Sequence, residues 1–278
     1  MTEARVFHRT NLEGEEASDG KRPVILHFHT FKNAGSSVDA VLQQCFPDAW
    51  ANFDGPVPEF FIHHSELEII ARNRSQLKAI SSHQIRLPVP QSQKVEFLPI
   101  VFIRRPELRI ASIWRFQRQR HDNHPATLLA KQLSFREWVV HNLAKKLPQA
   151  TDNGQTHLFS YDLDKRRRVR EPGALERAIR NLEELPLVGI VEKFDQSMKL
   201  FEALYQPKIP EFQYQSVGAR NATGDVNLSE DKQLEQLRED LGCDLFKELQ
   251  AANAVDIELY NHVTEKYRLV AGNLNVTS

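Results

Sequence analysis

PVILHFHTFKNAGSSVDAVLQQCF, residues 23–46, decides the fold. Pro23 opens a short apolar, β-branched run that predicts a strand. FKNAGSS (31–37) then interrupts it with a lysine, a glycine and two serines, the composition of a loop. Val38, Val41, Leu42 and Cys45 follow at the spacing of a helix packed on a core. Strand, loop and helix in that order are the repeating unit of α/β folds.

The same alternation continues outward. SELEIIARNRSQ predicts a helix with Ser65 as N-cap and Glu68 three residues on, a capping-box pattern. LKAISSH predicts a second strand ending at His83, and FLPIVFIRR a strand buried on both faces. RRPELRIASIWRFQRQR starts a helix with Pro106 in its first turn, where proline is tolerated. A helical pattern covers 125–147, and Gly154 and the basic run Lys165–Arg170 mark surface. GALERAIRNLEEL reads as a helix, LVGIVEKF as a buried strand and DQSMKLFEALY as a helix; two more helices cover 230–249 and 251–268. Strands alternating with helices predict an α/β, three-layer architecture with a central parallel sheet flanked by helices. Residues 1–22 are polar and read as a flexible tail, leaving 23–278 as one domain.

With 36 basic and 37 acidic residues and a formal charge of −1, nothing global draws the chain to nucleic acid or to an anionic membrane. Anion binding therefore has to be local. Cys45 and Cys243 lack redox or metal spacing, which favours a reducing compartment. The charged start lacks the apolar core of a signal peptide, and no segment has the length and hydropathy of a membrane span, so the expectation is a cytoplasmic protein without an integral membrane segment.

Ligands of open α/β sheets sit at the carboxyl ends of strands. The first strand-loop-helix brings Lys32, Asn33, Ala34, Gly35, Ser36 and Ser37 there. A glycine lets the backbone wrap an anion, hydroxyls donate hydrogen bonds and a lysine adds a full charge, so phosphate or sulfate is the expected guest. A nucleoside-triphosphatase loop would need Gly-Lys directly before Ser/Thr; here Lys32 precedes Gly35 by three residues.

HFHTFKNAGSSVDAVL instead resembles the 5′-phosphosulfate loop of sulfotransferases that use 3′-phosphoadenosine 5′-phosphosulfate (PAPS), particularly the heparan sulfate 2-O- and 6-O-enzymes. VFIRRPELRIASIW resembles the family's 3′-phosphate segment, with Arg104 ending a strand and Ser112 eight residues on. The resemblance implies a P-loop-like sulfotransferase fold, PAPS as donor, adenosine 3′,5′-bisphosphate as product, no metal, and a small-molecule or carbohydrate hydroxyl acceptor, with a carbohydrate or glycoconjugate favoured. It also implies a histidine base between the two motifs, a placement that His83 matches, and imidazole suits that task near neutral pH. Lys32 would stabilise the leaving phosphate. A late basic loop, YQSVGARNATG, offers Ser216, Arg220 and Thr223 as further nucleotide contacts.

Other features read as structural. His27 and His29 share one strand face and suit packing or loop support. His63/His64 and His121/His124 lack accompanying ligands at metal spacing, and Asp162 with Asp164 reads as a turn. Phe31, Asn33 and Arg105 depart from the family's proline, threonine and aspartate; Arg105 would add charge near the nucleotide. Two rivals stay open. One is a divergent P-loop kinase or other nucleotide-binding enzyme, the other a non-catalytic binding module retaining the fold. Acceptor identity and oligomeric state lie beyond these residues.

Overall fold

The computed structural model describes residues 20–55, 57, 60–145, 151–162, 167–168, 173–216 and 228–274. Strands β1 (Arg22–Phe28), β2 (Trp50–Asn52), β3 (Ala79–Ser82), β4 (Val95–Ile100) and β5 (Phe102–Ile103) alternate with helices α1 (Gly35–Cys45), α2 (His64–Asn73) and α3 (Pro106–Gln119). Then come α4 (Pro125–Gln132), α5 (Phe135–Lys145), α6 (Gly154–Phe159), a small β6/β7 hairpin (Tyr161–Asp162, Arg167–Arg168) and α7 (Ala174–Glu183). The chain continues through β8 (Gly189–Ile190), α8 (Phe194–Tyr205), α9 (Glu230–Leu241), α10 (Cys243–Ala252) and α11 (Ala254–Asn273).

The central sheet is parallel, in the order β2-β3-β1-β4, and β5 continues from β4 to pair in parallel with β8. The fold is thus α/β with a central parallel sheet flanked by helices. Val24, Ile25 and Leu26 of β1 are all fully buried, as expected of a strand covered on both faces. From β1 the chain runs out to β2, returns to β3, then crosses to β4 on the other side. That reversal makes the carboxyl end of β1 the switch point where such sheets open a crevice.

Two apolar clusters fill the molecule. One packs around the sheet; the other joins α3, α4, α5, α9 and α10 through Leu108, Ala130, Trp138, Leu237 and Leu249. No helix among the described residues is long and apolar enough to cross a membrane.

Several boundaries differ from expectation for local reasons. α2 is capped by His63, not Ser65: Glu66 reaches back to the His63 N–H at 2.7 Å, while Glu68 accepts from Ser92 Oγ at 2.9 Å. Ser134 and Glu137 form a cap that splits the 125–147 pattern into α4 and α5. Gly242, at φ 74°, ends α9 and lets α10 start at once, where one helix over 230–249 was expected. LVGIVEKF gives only a two-residue strand before the chain turns into a 3₁₀ segment and α8. Gly154 is buried at the head of α6 rather than on the surface. Arg22 begins β1 instead of belonging to the tail, its guanidinium donating to the Leu77 and Ala71 carbonyls.

Candidate functional site

β3, β1 and β4/β5 lie side by side and run the same way, so the residues just past their carboxyl ends share one edge of the sheet. Those residues are His83, the 29–34 loop and Arg104. All three chemistry-bearing stretches singled out in the sequence therefore meet.

The loop after β1 is held in a costly shape. Lys32 and Ala34 have φ of 61° and 62°, the left-handed region, at about 1 kcal/mol or more each for a non-glycine residue. Asn33 supplies the compensation. Its buried amide donates to Phe102 O at 2.9 Å and to Gln155 Oε1 at 3.0 Å, tying the loop to β5 and α6. The Asn33 side chain thus faces inward and its N–H donates to Thr30 O at 3.2 Å, so neither donor is turned toward the ligand contact expected from sequence. α1 starts at Gly35 without a side-chain cap, while Ser36 is exposed and Ser37 partly so. First-turn N–H groups of a helix have no intrahelical acceptors and carry its positive end, which suits an anion. Gly35 is required here, since a Cβ would stand 2.0 Å from the His29 ring.

Three cations crowd this edge. Burial, with Arg104 and then Arg109 nearby, lowers the Lys32 ammonium to about 8. Its Nζ lies 4.6 Å from the centre of the Phe116 ring. Arg109 is buried and lowered to about 10 by desolvation; its Nε donates to Phe31 O at 3.1 Å. Arg104 Nη1 reaches Lys32 O at 3.5 Å, while its Nε sits 3.5 Å from Glu192 Oε1, a separation beyond a good hydrogen bond. A group of cations that depress one another's proton affinity is one that an anion would relieve. Arg105 takes no part in it, being paired with Glu107 and Glu230 at 3.4 and 3.0 Å. The charge expected from it near the nucleotide is already matched.

On the other side of β1, two carboxylates orient the histidines. Asp54, in the turn after β2, accepts from His83 N and Ser82 Oγ through Oδ1 (2.9 and 3.0 Å), and faces His83 Nδ1 through Oδ2 at 2.9 Å. Nδ1 then carries the proton, leaving Nε2 as the basic nitrogen. Asp39 of α1 faces His27 Nδ1 at 2.8 Å and His29 Nδ1 at 2.9 Å, and these partners hold its carboxyl far below the usual range against the opposing effect of burial. His27 is fully buried, which lowers it to about 4 and keeps it neutral. His29 and His83 stack with ring centres 3.8 Å apart.

His27, His29 and Asp39 bring three possible metal-ligand atoms within 4.8 Å, a grouping invisible to the sequence reading because Asp39 arrives from α1. The separate carboxylate oxygens at 2.8 and 2.9 Å fit N–H donors. His27 and His29 therefore support the loop, as their shared strand face suggested, and His29 also reaches the cleft. Beside His83 a cavity of about 200 Å³ opens between the end of β3, the 28–31 segment and α6.

Ser112 is 1% exposed on the inner side of α3, so its hydroxyl is closed off from a ligand in this conformation. Ser216 donates to Asp195 at 3.0 Å. Arg220, Thr223, Asp164 and Lys165 lie outside the described residues. Sequence reasoning missed Asp39, Asp54, Arg109, Gln155 and Glu192. The arginine three residues after Pro106 was the one available signal for Arg109; Asp39 acts from the next element, and Asp54, Gln155 and Glu192 act across longer separations.

No family model matches the chain. It is similar to an uncharacterized protein of Archaeoglobus fulgidus, with 29% identity over 252 residues that span 89% of this chain and 98% of the archaeal one.

Proposed function

We propose that this chain is a PAPS-dependent sulfotransferase of P-loop-like fold. The observation that carries the reading is the meeting of the Lys32 loop, His83 and Arg104 on one sheet edge, with a cationic group on one side of β1 and a carboxylate-oriented imidazole on the other. In this reading the loop N–H groups, Ser36 and Ser37 hold the 5′-phosphosulfate, and Arg104 with Arg109 offsets the nucleotide's charge. The acceptor oxygen attacks sulfur while the bond from sulfur to the bridging oxygen breaks. The acceptor proton passes to His83 Nε2, and adenosine 3′,5′-bisphosphate leaves with its new charge facing Lys32.

Thermal stability measured with adenosine 3′,5′-bisphosphate and, separately, with ATP–Mg²⁺ tests the donor class, since a ligand of the native state stabilises by mass action. The bisphosphate should raise the melting temperature, and Lys32→Ala and Arg104→Ala should each reduce the shift. With burial and the neighbouring arginines lowering the Lys32 ammonium to about 8, nucleotide affinity should weaken as pH rises through that value. A shift with ATP–Mg²⁺ alone would favour the kinase reading. No shift with either, together with unaltered behaviour of His83→Ala, would favour a binding module.

A further inference from the structure

The Lys32 ammonium is held differently from the other partnered lysines of the chain. Lys78 and Lys208 end on the carboxylates of Glu211 and Glu96, and Lys266 ends on the carbonyls of Glu183 and Leu185. Among the described residues no oxygen accepts from Lys32 Nζ. Its neighbour is the Phe116 ring, with Nζ 4.6 Å from the ring centre.

Phe116 reaches the loop through the register of α3. Arg109, Ser112 and Phe116 recur at i, i+3 and i+7, which is one face of a helix. That face meets the loop after β1: Arg109 Nε donates to Phe31 O at 3.1 Å, and the Phe31 and Phe116 rings meet edge to face with centres 5.6 Å apart. Phe31 also packs against the core that contains Leu108 and Ile113 of α3. The phenylalanine that stands where the resemblance leads one to expect proline thus steadies the Phe116 ring, and that ring carries the ammonium. Arg120 lies over the same ring at 5.7 Å but is already paired with Asp122.

A carboxylate and a ring hold a cation in different ways. A carboxylate takes up the N–H donors and cancels the charge, so an incoming anion has to displace it. A ring face attracts the cation through its quadrupole and leaves both the donors and the charge to a ligand. A free lysine stem also carries rotamer entropy that binding must remove, and a stem already lodged on a ring has lost part of it beforehand. The left-handed backbone of Lys32 sets where the stem starts, and Phe116 sets where it ends.

Provided that Lys32 meets the donor's anion as proposed above, we infer that Phe116 is a positioning residue, holding the Lys32 ammonium in place with its charge and its donors still free for that anion.

The test titrates the melting temperature of the full chain with adenosine 3′,5′-bisphosphate and, separately, with sodium sulfate. Lys32→Ala supplies the baseline for the general stabilisation that sulfate lends to any fold. Phe116→Leu removes the ring and keeps an apolar side chain, whereas Phe116→Tyr keeps the ring. Phe116→Leu should weaken both ligands roughly threefold to tenfold, the range expected for one side chain that must be ordered on binding. Phe116→Tyr should stay within about twofold of the native chain. In the Lys32→Ala background Phe116→Leu should have no further effect. Should Phe116→Leu fail to fold, Phe116→Met makes the same comparison. Native affinity in Phe116→Leu, a tyrosine variant as weak as the leucine one, or effects of Phe116→Leu and Lys32→Ala that simply add would each overturn the positioning role. A bisphosphate shift indifferent to Phe116 overturns that role and leaves the donor reading intact. Ring-dependent sulfate binding without a bisphosphate shift overturns the donor reading and leaves Phe116 its role, while binding of neither ligand overturns both.

Discussion

At the scale of single residues, Asp54 is the group on which the candidate base depends. Its Oδ1 is fixed by the His83 N–H and the Ser82 hydroxyl, so the oxygen facing Nδ1 is always Oδ2. In Asp54→Asn the remaining oxygen would stay with those two donors, and the amide NH₂ would face the ring. Nδ1 would then have to accept, the proton would move to Nε2, and the basic nitrogen would be lost. Turnover should fall by about 10²-fold or more, the usual contribution of a general base, with the KM for donor unchanged. His83→Ala should lose a similar factor. If His83→Ala is inactive while Asp54→Asn keeps its turnover, the orienting role is wrong even though the base is right. His83, Lys32 and Arg104 could be found in the sequence because each lies at, or within two residues of, the carboxyl end of a predicted strand. Asp54 could not, since it lies 29 residues away from its partner in a turn whose composition says only that the chain bends.

At the scale of elements, the loop after β1 is held by a helix that no periodicity in the sequence places there. α6 is six residues long, and its first N–H groups are capped from α11: Asp256 accepts from Gln155 N at 2.9 Å and Thr156 N at 2.7 Å. That anchoring presents the Gln155 side chain, whose Oε1 accepts from Asn33 Nδ2 (3.0 Å) and Arg104 N (2.9 Å) and whose Nε2 donates to Arg104 O at 2.8 Å. One amide thus joins the loop after β1 to the end of β5. Gln155→Ala would leave these groups buried with poorer partners, at about 2–4 kcal/mol. Urea unfolding should show that loss, and the bisphosphate-induced melting shift should shrink because the strained loop at Lys32 and Ala34 loses its tether. An unchanged shift would mean that Asn33 and Phe102 O suffice. The alternation of strands and helices was legible because burial imposes periodicity on every long element. The misplacements fall where periodicity is silent: β2 has three residues, α6 is defined by partners about 100 residues away, and α2 takes its cap from a histidine rather than a serine.

At the scale of the whole molecule, the candidate site sits where two cores meet, and its histidine cluster ties stability to pH. Phe31 packs against the second core while its neighbours end β1 in the first, so α3 and the sheet both shape the loop. Beneath it, His27 bonds to Asp39 and lies 3.1 Å from Ser81 Oγ, which also accepts from Trp50 Nε1 at 3.0 Å; β1, α1, β2 and β3 are joined at one imidazole. In the native state burial lowers His27 from 6.5 to about 4, whereas the unfolded chain takes up its proton near the ordinary value. Between those pH values the unfolded state binds more protons, so stability rises with pH there and is lost as pH falls from 6.5 toward 4. Across the full window this amounts to about 3 kcal/mol. Asp39, held below its ordinary value, adds its own loss only at lower pH. Urea midpoints at about pH 7 and about pH 4.5 should therefore differ by an amount equivalent to about 2–3 kcal/mol. His27→Asn cannot titrate there, so it should start less stable and remove most of that difference. A native chain whose midpoint stays flat over the interval would show that His27 is not held neutral, and that the cluster around β1 is wetter than its burial implies.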